Sequence, residues 1–307
     1  MQTEKVSFYS EGIKLAGVLH KPDDQTREPF PIIVQGPGWL ETVCSRVSEP
    51  FHEGFVKGGY AVLHWSPRGF GDSGGEPGWI LWQDQVEDIL NALTYVETRK
   101  DLDSQRIGLF GHGGTGGGNP IYAAAADPRP KCVVVQTVVA DGIDWLRGMR
   151  REYEWVELIE RVGENARRRV LENEDTMVDP TEELMVATPE RKRAGMPTRG
   201  KEFHLSSAES LLRYRPLEVV DRIAPRGLLL NCIEDDVVTP ERHAQRLYEK
   251  ARAPKKLIRQ TRVSHYEAYT KNYEFLMSQF LDWFNRFLVS GYNSVRLSEP
   301  IEEILTF

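Results

Sequence analysis

Hydrophobic positions along this chain follow two rhythms. Over residues 5–21 apolar and polar residues alternate in VSFYS and KLAGVLH, with Glu11-Gly12 between them, and this predicts a hairpin-like opening. Beyond residue 30 the strands read as short, unbroken apolar runs: PIIVQG (31–36), GYAVLHW (59–65), RIGLFG (106–111), KCVVVQ (131–136), GLLLNC (227–232) and KKLIRQ (255–260). Helical stretches separate several of them. Residues 47–58 are read as a helix, and from Ile80 to Thr98 the residues Trp82, Val86, Ile89, Leu90, Leu93 and Val96 recur at helical spacing. The segment 113–126 starts with glycines and turns alanine-rich, as a buried helix does. A last helix carries Tyr273, Leu276, Met277, Phe280, Leu281, Phe284 and Phe287 on one face.

Apolar strands alternating with helices predict an α/β fold, with a mainly parallel sheet covered on both faces and antiparallel strands at its start. Residues 141–215 interrupt the alternation. They are polar, rich in Arg, Glu and Trp, and lack a strong strand. They read as a helical insertion, a cap at the sheet edge where α/β folds bind ligands. The expected organisation is a core of residues 1–140 and 216–307 with a cap of residues 141–215. The partly apolar tail 291–307 packs either on the body or on a second subunit, so a homodimer is one expectation.

The charge changes what can be expected of partners. The 307 residues carry a net charge of −7, which argues against general affinity for nucleic acid or an anionic membrane. The start MQTEKVSFYS has no apolar signal core, and no apolar run reaches membrane length; the expectation is a cytoplasmic protein. Cys44, Cys132 and Cys232 form no CxxC pair and no disulfide framework. The histidines show no spaced ligand pair beside carboxylates, so no metal site is expected. No nucleotide cofactor is expected either, because GGTGGG is followed by KCVVVQ with no acidic residue to hold a ribose.

The chemistry lies in the order of three features. A strand ends at Gly111 in a glycine-rich turn that leads directly into a helix, the shape of a nucleophile elbow. A second strand, GLLLNC, runs into the acidic loop IEDDVVTP. VSHYEAY then puts His265 in a loop before the last helix. Elbow, acid and histidine stand in the chain order of a catalytic triad on an α/β sheet. Glu234, Asp235 and Asp236 are all candidates for the acid. Thr115 and Ser73 are rival nucleophiles, Thr115 two residues too far along and Ser73 in a glycine-rich loop; Cys44 and His112 are read as ordinary loop and packing residues.

These pieces together resemble the α/β-hydrolase family over roughly residues 5–288. QGPGW (35–39) resembles the family's oxyanion loop, with Gln35 where His is common. SPRGFGDSGG (66–75) resembles its Arg-Gly-x-Gly-x-Ser loop. The resemblance implies that Asp236, four residues before Pro240, is the acid and His265 the base. It aligns Gly-x-Ser-x-Gly with Gly111-His112-Gly113-Gly114-Thr115, so Gly113 occupies the nucleophile position without a side chain. The implied oxyanion donors are the backbone amides of Gly114 and of Trp39, or of Leu40 if the loop register differs. In the cap, Trp145, Arg150 and Tyr153 are candidates for substrate contact.

The expected function is hydrolysis of an ester, amide or related acyl bond in a small-molecule substrate. Either the protein lacks the serine by nature or this chain is a Ser→Gly form. Two alternatives stand beside it. One is a serine-less enzyme in which His265 and Asp236 activate water for C–C hydrolysis, isomerisation or a lyase step; the other is a non-catalytic binder of a small ligand.

Overall fold

The computed structural model describes residues 1–38, 48–185, 189, 202–289 and 301–307. In chain order, β1 (Gln2–Ser10) and β2 (Ile13–Lys21) form the hairpin, followed by β3 (Phe30–Gln35), α1 (Glu49–Lys57), β4 (Ala61–Trp65), α2 (Trp82–Glu97), β5 (Leu102–Gly114), α3 (Thr115–Ala126) and β6 (Pro130–Val138). The insertion holds α4 (Gly142–Gly148), α5 (Glu152–Glu172), β7 (Met177–Val178), β8 (Phe203–His204) and α6 (Ser206–Leu212). The chain then returns through β9 (Gly227–Ile233), α7 (Arg242–Lys250), β10 (Lys255–Gln260), α8 (Tyr273–Phe284) and β11 (Glu302–Thr306).

Nine strands make one sheet in the order β1-β2-β4-β3-β5-β6-β9-β10-β11. The β1–β2 and β2–β4 pairs are antiparallel and every later pair is parallel. The unbroken apolar runs follow from this, because a parallel sheet covered by helices buries both faces of each strand. In β3, Ile32 and Val34 join the layer beneath α2, α3 and α7, while Ile33 faces the layer of α1 and α8. This is the α/β-hydrolase fold expected from the sequence.

Two details depart from the expectation. The insertion is mainly helical, but β7 and β8 pair antiparallel within it, a ladder too short to leave a sequence signature. Its apolar residues Leu158, Val162, Leu184 and Phe203 form a core of their own with Phe70, Ile80 and Val139. The end of the tail packs on the body, one of the two expected placements, but does so as a strand. Residues 302–306 add to the sheet as β11, parallel to β10, and Lys256 Nζ pairs with Glu303 at 2.8 Å. Among the described residues no helix is long and apolar enough to cross a membrane.

Candidate active site

The elbow forms where β5 passes into α3. Gly113 has φ +70° and Gly114 φ +58°, left-handed values that side chains rarely tolerate. Gly111 is needed for a different reason. A Cβ there would lie 2.1 Å from the Gly116 carbonyl oxygen and 2.7 Å from Pro120 Cγ, so helix and strand meet with no room for a side chain. Pro120 lacks the N–H that would bond the Gly116 carbonyl one turn earlier, and the ring sits against β5 instead.

Space opens at the next position but one. Among the described residues, a Cβ on Gly113 would meet nothing nearer than the Tyr269 hydroxyl, at 3.9 Å. Tyr269 Oη and Thr137 Oγ1 are 2.7 Å apart, and Gly113 N donates to Thr137 Oγ1 at 3.1 Å. This short chain ties the elbow backbone to the histidine loop. His112 points elsewhere: its Nε2 lies 2.7 Å from Ser48 Oγ in a buried contact.

The acid and the base come from the loops after β9 and β10. Asp235 takes φ +53°, which turns the chain so that Asp236 is buried. Asp236 Oδ1 accepts from the amides of Val238 (2.7 Å) and Thr239 (3.1 Å), and Oδ2 accepts from Thr239 Oγ1 (2.8 Å). The same Oδ2 lies 2.8 Å from His265 Nδ1. Burial pushes the carboxyl upward, but the charge and hydrogen bond of His265, with the two amides, outweigh it and hold Asp236 below the usual carboxylate range. An ionised carboxylate only accepts, so the neutral form of His265 places its proton on Nδ1 and has its lone pair on Nε2, the form a general base requires. His265 is itself buried, and its ring meets Tyr269 edge-on at 5.6 Å. Tyr269 therefore adjoins both the base and the empty nucleophile position.

The loop after β3 packs on the elbow. A Cβ on Gly38 would stand 3.0 Å from Gly116 N. Two buried amides pin this loop: Gln85 Nε2 donates to the Gly38 carbonyl at 3.1 Å, and Asn119 Nδ2 to the Pro37 carbonyl at 3.4 Å and to Gln85 Oε1 at 3.0 Å. Trp39, Leu40 and Cys44 lie outside the described residues. Gly114, the other expected oxyanion donor, caps the N-terminus of α3, whose dipole favours an anion there.

The remaining candidates are placed as follows. Ser73 Oγ accepts from Ala16 N at 2.9 Å and donates to the Ser66 carbonyl at 2.8 Å, so its hydroxyl holds a loop together. Thr115 is buried inside the first turn of α3. Trp145 lies against the site: its ring would be 3.7 Å from a Cβ on Gly114, and its Nε1 donates to the Val238 carbonyl in the acid loop at 2.8 Å. Arg150 instead spends its guanidinium on the carbonyls of Leu146, Glu183 and Leu184. Tyr153 is exposed, with Arg151 as its neighbour.

Sequence reasoning missed Tyr269, Thr137, Gln85 and Asn119, whose roles depend on contacts between distant elements. The Tyr in SHYEAY, four residues after the histidine and so one helical turn on, was the one available signal. It also missed a group of three histidines, His20, His52 and His64, whose ring nitrogens lie within 4.8 Å of one another.

Comparison with known proteins places the family and the fold. The model of the X-Pro dipeptidyl-peptidase (S15 family) matches residues 11–266. An uncharacterized 31.7 kDa protein of the traX-finO intergenic region of Escherichia coli is 28% identical over 265 residues, covering 85% of this chain and 90% of that one. A thiohydrolase of Eupenicillium brefeldianum is 26% identical over 277 residues, covering 82% and 83%. The crystal structure of the α/β hydrolase GrgF from Penicillium sp. sh18 superposes with a TM-score of 0.80 at 21% identity, over 94% of this chain and 99% of that one.

Proposed function

This chain belongs to the X-Pro dipeptidyl-peptidase (S15) family, hydrolases of the α/β-hydrolase type, and on that premise we propose that it carries the machinery for cleaving an acyl bond (ester, thioester or amide) of a small-molecule substrate, with Gly113 at the nucleophile position. The buried 2.8 Å contact between His265 and Asp236, in register with a left-handed elbow at residue 113, carries the reading. Thioesters join the substrate classes because a relative of similar length is called a thiohydrolase.

In the covalent route a hydroxyl at 113 gives its proton to His265 Nε2 and attacks the acyl carbon. Asp236 stabilises the imidazolium that forms, the leaving group takes the proton from it, and water then releases the acyl group by the same steps. The amide of Gly114, with that of Trp39, would hold the oxyanion. Glycine supplies no hydroxyl, so this chain as it stands forms no acyl-enzyme at 113. Residues 141–215 act in this reading as the cap, and Trp145 is the cap residue set against the elbow.

A second reading follows from the space at Gly113. Among the described residues nothing lies nearer than 3.9 Å to the Cβ position, which leaves space for a water or a substrate group, and His265 with Asp236 can activate water directly. Both chains, Gly113 and Gly113→Ser, should be assayed on p-nitrophenyl esters, acyl thioesters and aminoacyl amides, with a fluorophosphonate label. Labelling and hydrolysis confined to the Gly113→Ser variant support the covalent frame. Turnover by the Gly113 chain that vanishes in His265→Ala, with no labelling of either form, supports direct water activation. No labelling and no His265-dependent turnover would remove both readings.

A further inference from the structure

Three histidines, joined to His112 through Gln35 and Ser48, have no part in the chemistry proposed above. His20 lies on β2 and His64 on β4, neighbouring antiparallel strands in which Val18 pairs with His64 and His20 with Val62. The two histidines are therefore diagonal neighbours on one face of the sheet. Helix α1 covers that face and lowers His52 onto them: the His52 and His64 ring centroids are 4.2 Å apart, and those of His20 and His64 5.2 Å. The Nε2 atoms of His20 and His64 are 3.1 Å apart. Residues at i, i+3 and i+4 share one face of a helix, and here these are Glu49, His52 and Glu53.

We propose that His20, His52 and His64 form a binding site for a divalent transition metal ion of the zinc class. Three neutral imidazoles are the donor set such ions favour. A tetrahedral ion with bonds of about 2.0–2.1 Å separates its ligand nitrogens by roughly 3.4 Å. The 3.1 Å between His20 and His64 is already near this value, and one ring nitrogen from each of the three histidines lies within 4.8 Å of the others. Small side-chain rotations close the remainder.

Outer partners set the rings for this role. Thr3 Oγ1 lies 3.1 Å from His20 Nδ1 and can accept its proton, leaving Nε2 as the ligand atom. Gln35 Oε1 lies 2.8 Å from His52 Nε2. A carbonyl oxygen only accepts, so Nε2 carries the proton of His52 and Nδ1 the lone pair. Glu49 and Glu53 share with His52 the face of α1. Either carboxylate stands on the face of α1 that could complete the coordination.

Cobalt(II) alone is the probe. The full chain, stripped with a chelator, is titrated with cobalt chloride and followed by visible absorption and isothermal calorimetry. One equivalent per chain with the strong d–d bands of four-coordinate cobalt is expected, and zinc should displace it. His20→Ala and His64→Ala should each weaken binding by more than the roughly 10–100-fold that loss of an outer-shell partner costs, while His204→Ala leaves it unchanged. His20 is only half-buried, so its replacement keeps the proposal testable even if His64→Ala fails to fold. Absence of the d–d bands, or uptake equal in the wild type and His20→Ala, would overturn the assignment.

Discussion

Two glycines of the elbow, two residues apart, should respond to the same substitution for different reasons and by different amounts. In Gly113→Ala the new methyl meets nothing closer than 3.9 Å among the described residues, so the left-handed φ of +70° is what is penalised. That costs about 1–2 kcal/mol, offset by roughly 0.4–1 kcal/mol from stiffening the unfolded chain; the net effect is near 1 kcal/mol. In Gly111→Ala the methyl would stand 2.1 Å from the Gly116 carbonyl oxygen, where ordinary contact begins at 3.4 Å. Both atoms belong to rigid backbone, one in β5 and one in α3, so the first turn of the helix must move by more than an ångström. Overpacking of this kind costs about 3 kcal/mol or more. With an unfolding entropy of about 2.1 cal/mol/K per residue, the 307 residues lose about 0.6 kcal/mol per degree. The melting temperature should thus fall by about 5 °C or more for Gly111→Ala and by only about 2 °C for Gly113→Ala. Urea denaturation checks the comparison through the midpoint at constant slope. If Gly111→Ala proved no more costly than Gly113→Ala, the close approach of α3 to β5 would be wrong, and the elbow register with it.

Other outcomes follow from the site. In the Gly113→Ser background, Asp236→Asn should lower kcat/KM on an activated ester by about 10⁴-fold, because His265 loses the acceptor that fixes its tautomer. Asp236 has its pKa depressed in the folded state, so its contribution to stability is complete above the unfolded carboxylate value of about 3.9 and is lost as pH falls below it; an acid-unfolding curve of Asp236→Asn should therefore be shallower below that pH. Asn119→Ala strands the Pro37 carbonyl and the Gln85 amide in the interior and should cost about 1–3 kcal/mol in denaturant titration, with a parallel loss of fluorophosphonate labelling in the Gly113→Ser form. Ser73→Ala should leave that labelling rate intact, which a gel-based time course would show.

Much of this molecule was legible in its sequence because parallel strands buried on both faces write themselves as apolar runs, and a triad on such a sheet keeps its chain order. PIIVQG, GYAVLHW and GLLLNC needed no tertiary information. Gly113, Asp236 and His265 were picked by resemblance to the α/β-hydrolase motifs, since the residues alone left Glu234, Asp235 and Asp236 all open as the acid. The structure brings Asp236 and His265 into contact and gives residue 113 the elbow backbone. What was not legible depends on three-dimensional neighbours. EEILT carries too weak an alternation to declare itself a strand until β10 offers it an edge. His20, His52 and His64 are separated by 31 and 11 intervening residues, on two strands and a helix, so no spacing rule joins them. Gln85 reads as the polar face of α2, yet it turns inward to hold the Gly38 carbonyl.

The open, left-handed position at residue 113 also bears on how such a protein changes over generations. Some glycine codons lie a single base from serine, and among the described residues the packing leaves room for the exchange, so its cost is the left-handed backbone alone. As long as Asp236, His265 and the amide pins stay in place, a lineage can lose or regain the hydroxyl in one mutational step without refolding its neighbourhood.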